Sequence, residues 1–175
     1  YIEAQGFKIT FSKNSREMNE FKSSEIKSRV EDIHDAFRDK NVKIIITCIG
    51  GFNVNQILPY LDYELIKENP KILCGYSDIT ALLHAIYAKT GLVTYHGPHF
   101  CTFGFDKEAE YTQACFYDCV MKDDAVSVLP SKTAEEYYVI QEGSCEGEII
   151  GGNLCTLNLL QGTPYMPDLK DKVLF

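Results

Sequence analysis

The chain has 175 residues, 45% apolar and 24% charged, with a formal charge of −8. That is the composition of a globular protein long enough for one packed core, or for one domain and the start of another. The acidic balance excludes nucleic acid and an anionic membrane as the main partner, because the longest lysine-rich stretch, Lys170-Asp171-Lys172, is itself broken by acid, and no apolar run approaches the ~20 residues of a membrane span.

Tyr1 to Gln5 reads as the last turn of a helix closed by Gly6, with earlier elements, including a first strand, expected before it. Phe7 to Phe11 alternates as a strand. Ile26, Val30, Ile33 and Phe37 recur at spacings of four, three and four, which predicts one apolar stripe on a helix within Ser24 to Asp39. Val42 to Ile49 is a nearly unbroken β-branched run, the pattern of a strand covered on both faces, and it ends in Gly50-Gly51. A second helix is predicted from Asn53 to Ile66, stopped by Asn69-Pro70, since a residue before proline is pushed away from helical angles. Ile72 to Gly75 is the next strand, Asp78 to Lys89 the next helix and Leu92 to Tyr95 a further strand. Alternation of strand and helix with short links predicts an α/β fold, a Rossmann-like, doubly wound, mostly parallel sheet, in which ligands gather at the carboxyl ends of the strands.

After Pro98 the pattern changes. Lys107 to Lys122 reads as a helix, and Ala125 to Leu129 and Tyr137 to Gln141 as strands. Glu146 to Asn153 followed by Leu154 to Leu160 reads as strand, glycine turn and helix, and Asp171 to Phe175 as part of another strand. Residues 1–142 are accordingly expected to form the Rossmann-like domain and residues 143–175 the start of a second, mainly β domain, with the chain cut at each end.

Chemistry concentrates at Gly75-Tyr76-Ser77-Asp78, where an apolar strand turns at once into an amphipathic helix. A hydroxyl on such a corner stands clear of the sheet, and the free N–H groups of the helix start face any oxyanion beside it. Ser77 is the candidate nucleophile; the N–H of Asp78 and an N–H from Gly50 or Gly51 are the candidate oxyanion donors. The competing reading is that Ser77 or Asp78 merely caps a helix, and the segment lacks the second glycine of G-x-S-x-G. A non-catalytic binder, with the glycines and the helix start cradling an anion, belongs to that reading. Of the four histidines, His34 is expected to be solvated and His84 packed or pointing elsewhere, while His96 and His99 follow a strand end near the site. His96, His99 and Cys101, or Cys115 with Cys119 at helical spacing, are weak metal patterns, and no cofactor is expected. Seven cysteines without a C-x-x-C pair, with Cys48, Cys74 and Cys155 inside apolar segments, suit a reduced cytoplasmic protein.

The ordered motifs Ile49-Gly50-Gly51-Phe52-Asn53, Leu58-Pro59-Tyr60-Leu61-Asp62, Gly75-Tyr76-Ser77-Asp78-Ile79-Thr80 and Gly151-Gly152-Asn153-Leu154 together resemble the LD-carboxypeptidase family of serine peptidases. Phe52-Asn53-Val54-Asn55-Gln56, Gly97-Pro98-His99-Phe100 and Leu157 to Thr163 are most similar to its microcin C immunity branch. The resemblance implies amide hydrolysis through an acyl-enzyme on Ser77, with either a muropeptide or an aminoacyl-nucleotide phosphoramidate as the small-molecule substrate, and a homodimer. It also implies a Ser-Glu-His triad whose glutamate and histidine follow beyond Phe175, so no residue present takes either role and residues 1–175 by themselves are expected to be inactive. The passage from Ser131 to Glu142 is shorter than that branch leads one to expect, as though a loop were omitted.

Overall fold

The apolar stripe of the first long helix determines where the core begins. In the computed structural model, which describes residues 1–104, 109–122 and 138–175, α1 (Ile26–Arg38) buries Phe37 completely and packs Ile26, Val30 and Ile33 against the same cluster. Strand β1 (Ile44–Ile46) follows. The long β-branched run thus yields only a short ladder, and its residues are half-buried rather than covered on both faces. Its partner explains the length: β2 (Ile72–Gly75) faces Ile44 to Ile46, and past Thr47 the run pairs instead with the loop after β3, through Phe100 N–H to Thr47 O (2.9 Å) and Cys101 N–H to Cys48 O (3.3 Å).

The second predicted helix is two pieces. A 3₁₀ segment, Val54–Tyr60, contains Pro59, whose missing N–H and ring disfavour an α-helical continuation. The chain extends at Leu61 and restarts as α2 (Tyr63–Glu68), where the Asp62 carboxylate accepts from Leu65 N–H at 3.0 Å. Strand β2 spans the predicted residues, and α3 (Thr80–Thr90) follows it, buried from Thr80 to Ile86 on every side and closed by Gly91 in the left-handed region. Strand β3 is Tyr95–His96, three residues later than the predicted start, because its ladder with Cys74 and Gly75 begins there. Phe7 to Phe11 forms no strand: burial alternates from Phe7 to Thr10 but Phe11 is exposed, and among the described residues no neighbouring strand supplies a ladder.

The strands run in the order β1-β2-β3, all parallel. Their carboxyl ends therefore share one edge, and the segments leaving them, Gly50-Gly51, Tyr76-Ser77 and Pro98-His99, meet there. The molecule is mixed α/β with parallel sheets, as expected. Helix α4 is Ala109–Met121; the predicted strand Ala125 to Leu129 and the passage 131–137 lie outside the described residues. Tyr138 to Gln141 is not strand and is exposed, which corrects the expectation for that stretch.

A second parallel ladder joins β4 (Glu148–Ile150) to β5 (Lys172–Leu174), with α5 (Leu154–Asn158) between them, capped by the Asn153 side chain. This unit fastens onto α3. The His84 ring hydrogen-bonds Gly151 O at 2.6 Å, Asn153 N–H donates to Thr80 Oγ1 at 3.1 Å, and Tyr87 OH donates to Glu148, which also pairs with Lys172. Of the cysteines, Cys74 is buried, with its thiol pushed up to about 12 by desolvation, whereas Cys48 and Cys155 are exposed. Apolar neighbours in sequence did not place those two thiols inside.

Candidate active site

Ser77 sits at φ 60°, in the left-handed region that costs a side-chain-bearing residue roughly 1–2 kcal/mol. Tyr76 before it is fully extended, and Ser77–Ile79 form a 3₁₀ turn that runs into α3. The corner is held from below by Gly75. A Cβ there would collide with Thr47 Oγ1 and come within 2.9 Å of Ile79 Cγ2, so only glycine lets β2 turn so tightly against β1. Neither helix start is closed by a side-chain cap. That removes the capping explanation for Ser77 and Asp78.

Asp78 is buried and points its carboxylate backwards, accepting from Val54 N–H at 2.9 Å. It thereby ties the loop that follows Gly50-Gly51 to the Ser77 corner. The same loop is clamped from the other side by Arg29, whose guanidinium donates to Asn53 O and Oδ1 (3.1 Å each) and to Gln56 Oε1 (3.0 Å). Burial depresses the Arg29 pKa, and the negative charges of Asp78 and Glu25 act in the opposite direction.

Gly50 lies directly beside the hydroxyl. A Cβ built on it would stand 3.1 Å from Ser77 Cβ, 3.3 Å from Ser77 Oγ and 3.2 Å from His99 Nε2; on Gly51 it would be 3.6 Å from Asp78 Oδ2. The structure thus brings together all four residues singled out in the sequence, Gly50, Gly51, Ser77 and Asp78. Ile49, Gly50, Gly51, Tyr76, Ser77, His99 and Cys101 line one open cleft.

His99 was the less obvious member. It is 2% exposed, its Nδ1 lies 2.7 Å from Thr47 Oγ1, and its ring stacks on Tyr76 with centroids 4.1 Å apart. Burial, and secondarily His96, hold its pKa below the ordinary imidazole value. The sequence signals for it were its position, three residues past the end of β3, and the motif Gly97-Pro98-His99-Phe100. His96 instead abuts the second unit: a Cβ on Gly152 would stand 2.7 Å from its Nε2. His84 is packed, as expected. His34 is not simply solvated; its Nε2 accepts from Asp62 N–H at 2.9 Å, where α2 begins. Among the described residues no group of three or more His, Cys, Asp or Glu is placed to hold a metal ion.

The sequence profile of the LD-carboxypeptidase N-terminal domain matches residues 1–97, and that of the LD-carboxypeptidase C-terminal domain matches residues 146–175. The crystal structure of an MccF-like protein from Bacillus anthracis is 52% identical and superposes with a TM-score of 0.94, over 99% of this chain and 58% of that one. The microcin C7 self-immunity protein MccF of Escherichia coli is 34% identical over 97% of this chain and 56% of its own length. A structure of MccF in complex with aspartyl sulfamoyl adenosine superposes at a TM-score of 0.86, covering 99% of this chain and 59% of that one. The murein tetrapeptide carboxypeptidase of Pseudomonas aeruginosa is 28% identical over 93% of this chain and 53% of its length. The chain therefore spans little more than half the length of the relatives it matches.

Proposed function

Since this chain belongs to the LD-carboxypeptidase family, we propose that it carries the nucleophile and the oxyanion-binding groups of a serine peptidase that hydrolyses an amide through an acyl-enzyme. One observation carries the reading: Ser77 is held at φ 60° with its Oγ 3.3 Å from the Cβ position of Gly50, at the carboxyl edge of the parallel sheet. A serine needed only to begin a helix has no reason to adopt that angle.

In the proposed reaction Ser77 Oγ attacks the carbonyl carbon as its proton passes to the general base, which then serves as the general acid. The Asp78 N–H and a Gly50 or Gly51 N–H take up the negative charge on its oxygen, assisted by the positive end of the helix that starts there. The amine leaves with a proton from the general acid, and water then releases the acyl group from Ser77. The family's base and its orienting carboxylate are assigned to no residue among 1–175. The proposal includes the boundary between nucleophile domain and second domain at residues 142 and 143, a homodimer, and a cytoplasmic setting suited to the free thiols.

For the substrate, the likeness to MccF, one structure of which holds aspartyl sulfamoyl adenosine, supports an acidic aminoacyl-nucleotide. The likeness to a murein tetrapeptide carboxypeptidase supports a muropeptide ending in D-alanine as the second reading. The test offers the full-length protein both compounds and follows amine release. Hydrolysis of either that vanishes in Ser77→Ala is expected; hydrolysis untouched by that change would falsify the proposal. Residues 1–175 alone are expected to release nothing, and turnover by them that depended on Ser77 would overturn the assignment of the base to residues outside them.

A further inference from the structure

His99 brings to the cleft a nitrogen that nothing among the described residues satisfies. The ring is 2% exposed and Nε2 has no hydrogen-bond partner there, a costly state for a buried polar atom. Its orientation is enforced from two sides, by the stack on Tyr76 and by the Nδ1 contact to Thr47 Oγ1 at 2.7 Å. Thr47 Oγ1 has two acceptors in reach of its one proton, Nδ1 at 2.7 Å and Cys74 O at 3.3 Å. A neutral ring that accepts from Thr47 at Nδ1, the nearer of the two, carries its own hydrogen on Nε2.

That N–H faces the nucleophile. Nε2 and Ser77 Oγ lie within 3.3 Å of the same point, the position a Gly50 Cβ would fill. A carbonyl group presented to Ser77 across Gly50 brings its oxygen toward Nε2.

We propose that His99, through Nε2–H, is a further catalytic group: a side-chain donor to the oxygen of the scissile carbonyl, acting beside the backbone donors at Asp78 and Gly50 or Gly51. The inference rests on the peptidase reading above. It assigns Thr47 a positioning role, since its hydroxyl fixes which ring nitrogen bears the hydrogen. Neutrality suits the task, because a neutral donor favours the charged transition state without a fixed charge to bind the product acid.

The test uses His99→Gln and His99→Asn in the full-length protein, with the aspartyl phosphoramidate of adenosine and the D-alanine-terminated muropeptide as probes. A glutamine amide reaches the place of Nε2; an asparagine amide reaches only that of Nδ1. The expectation is that His99→Gln keeps kcat within about threefold while His99→Asn loses about 10²-fold in kcat with KM little changed, the loss typical of one missing oxyanion donor. A residue that served only to bond Thr47 would give the opposite order, and that order, or equal losses in the two variants, overturns the assignment. Thr47→Val, which leaves the ring in place and frees the tautomer, keeps the test open if the His99 variants do not fold; it should lower kcat about tenfold in protein that still melts cooperatively, and an unaltered kcat sinks the idea. Full activity in both His99 variants alongside an inactive Ser77→Ala defeats this inference alone. Turnover surviving in Ser77→Ala defeats the peptidase reading beneath it.

Discussion

A serine at φ 60° is a local loss that the surrounding packing must cover. Glycine takes that angle freely, so Ser77→Gly is expected to lose all hydrolysis while its thermal midpoint stays level or rises, against the usual cost of glycine in a folded chain. A lower midpoint would mean that the angle is not strained. Gly50 is the complementary case, where space and not angle forbids a side chain. In Gly50→Ala the new methyl meets Ser77 and His99 at 3.1 to 3.3 Å, close enough to displace both by a few tenths of an ångström. We expect kcat to fall by at least tenfold with the midpoint nearly unmoved, as read by steady-state kinetics beside a thermal melt. The corner that carries Ser77 was legible as an apolar strand running into a helix. The burial of His99 and its unpaired nitrogen were not, because they depend on Thr47 and Tyr76, brought in just past the ends of β1 and β2.

Among the elements, β2 and α3 act as one rigid mount. Strand β2 is the middle of the parallel sheet and α3 is buried from Thr80 to Ile86, so the corner between them moves only if the core does. Gly75→Ala forces a methyl against Thr47 and Ile79 at the foot of this mount, and overpacking of that kind costs about 1–3 kcal/mol. Denaturant melts should show the loss, accompanied by loss of activity; a neutral melt would show that β1 and β2 can part without cost. Asp78→Ala strands the buried Val54 N–H and unties the Gly50-Gly51 loop, so it should cost about 1–3 kcal/mol and lower kcat more than it raises KM. The same pair of measurements checks it. Elements defined by their own side chains were readable: the α1 stripe and the β2 run both fold where they were expected. Elements defined by a partner were not. Phe7 to Phe11 has strand periodicity and no ladder, β3 begins only where Cys74 can pair with Tyr95, and the helix predicted from Asn53 divides at Pro59 and Asp62.

Across the whole molecule, α3 is the joint between the two parallel ladders, and a histidine holds it. His84, buried, hydrogen-bonds Gly151 O at 2.6 Å, and burial lowers its pKa below the ordinary 6.5 even though that bond pulls the other way. His34, His96 and His99 are shifted in the same direction, each chiefly by burial. The unfolded chain therefore binds more protons than the folded one once pH drops below about 6.5, so stability is full above that value and is lost as pH falls through it toward the folded values. Thermal melts from pH 8 to pH 5 should show a midpoint constant at the alkaline end and declining below about 6.5, with a shallower decline in His84→Gln. A midpoint that rose on acidification would contradict the buried, neutral state of His84 and His99.

By itself the sequence determined the alternation of strands and helices, the parallel α/β class, the family and the strand-to-helix corner at Gly75-Tyr76-Ser77-Asp78, because each of these is written in contiguous residues through periodicity, turn chemistry and motif order. Only the tertiary structure decided which segments found a ladder, which thiols were covered, and that His99, held by Thr47, would line one cleft with Ser77. Those outcomes depend on parallel strands bringing the ends of three distant segments to one edge, and the distances between such ends are set by packing, which no local pattern encodes.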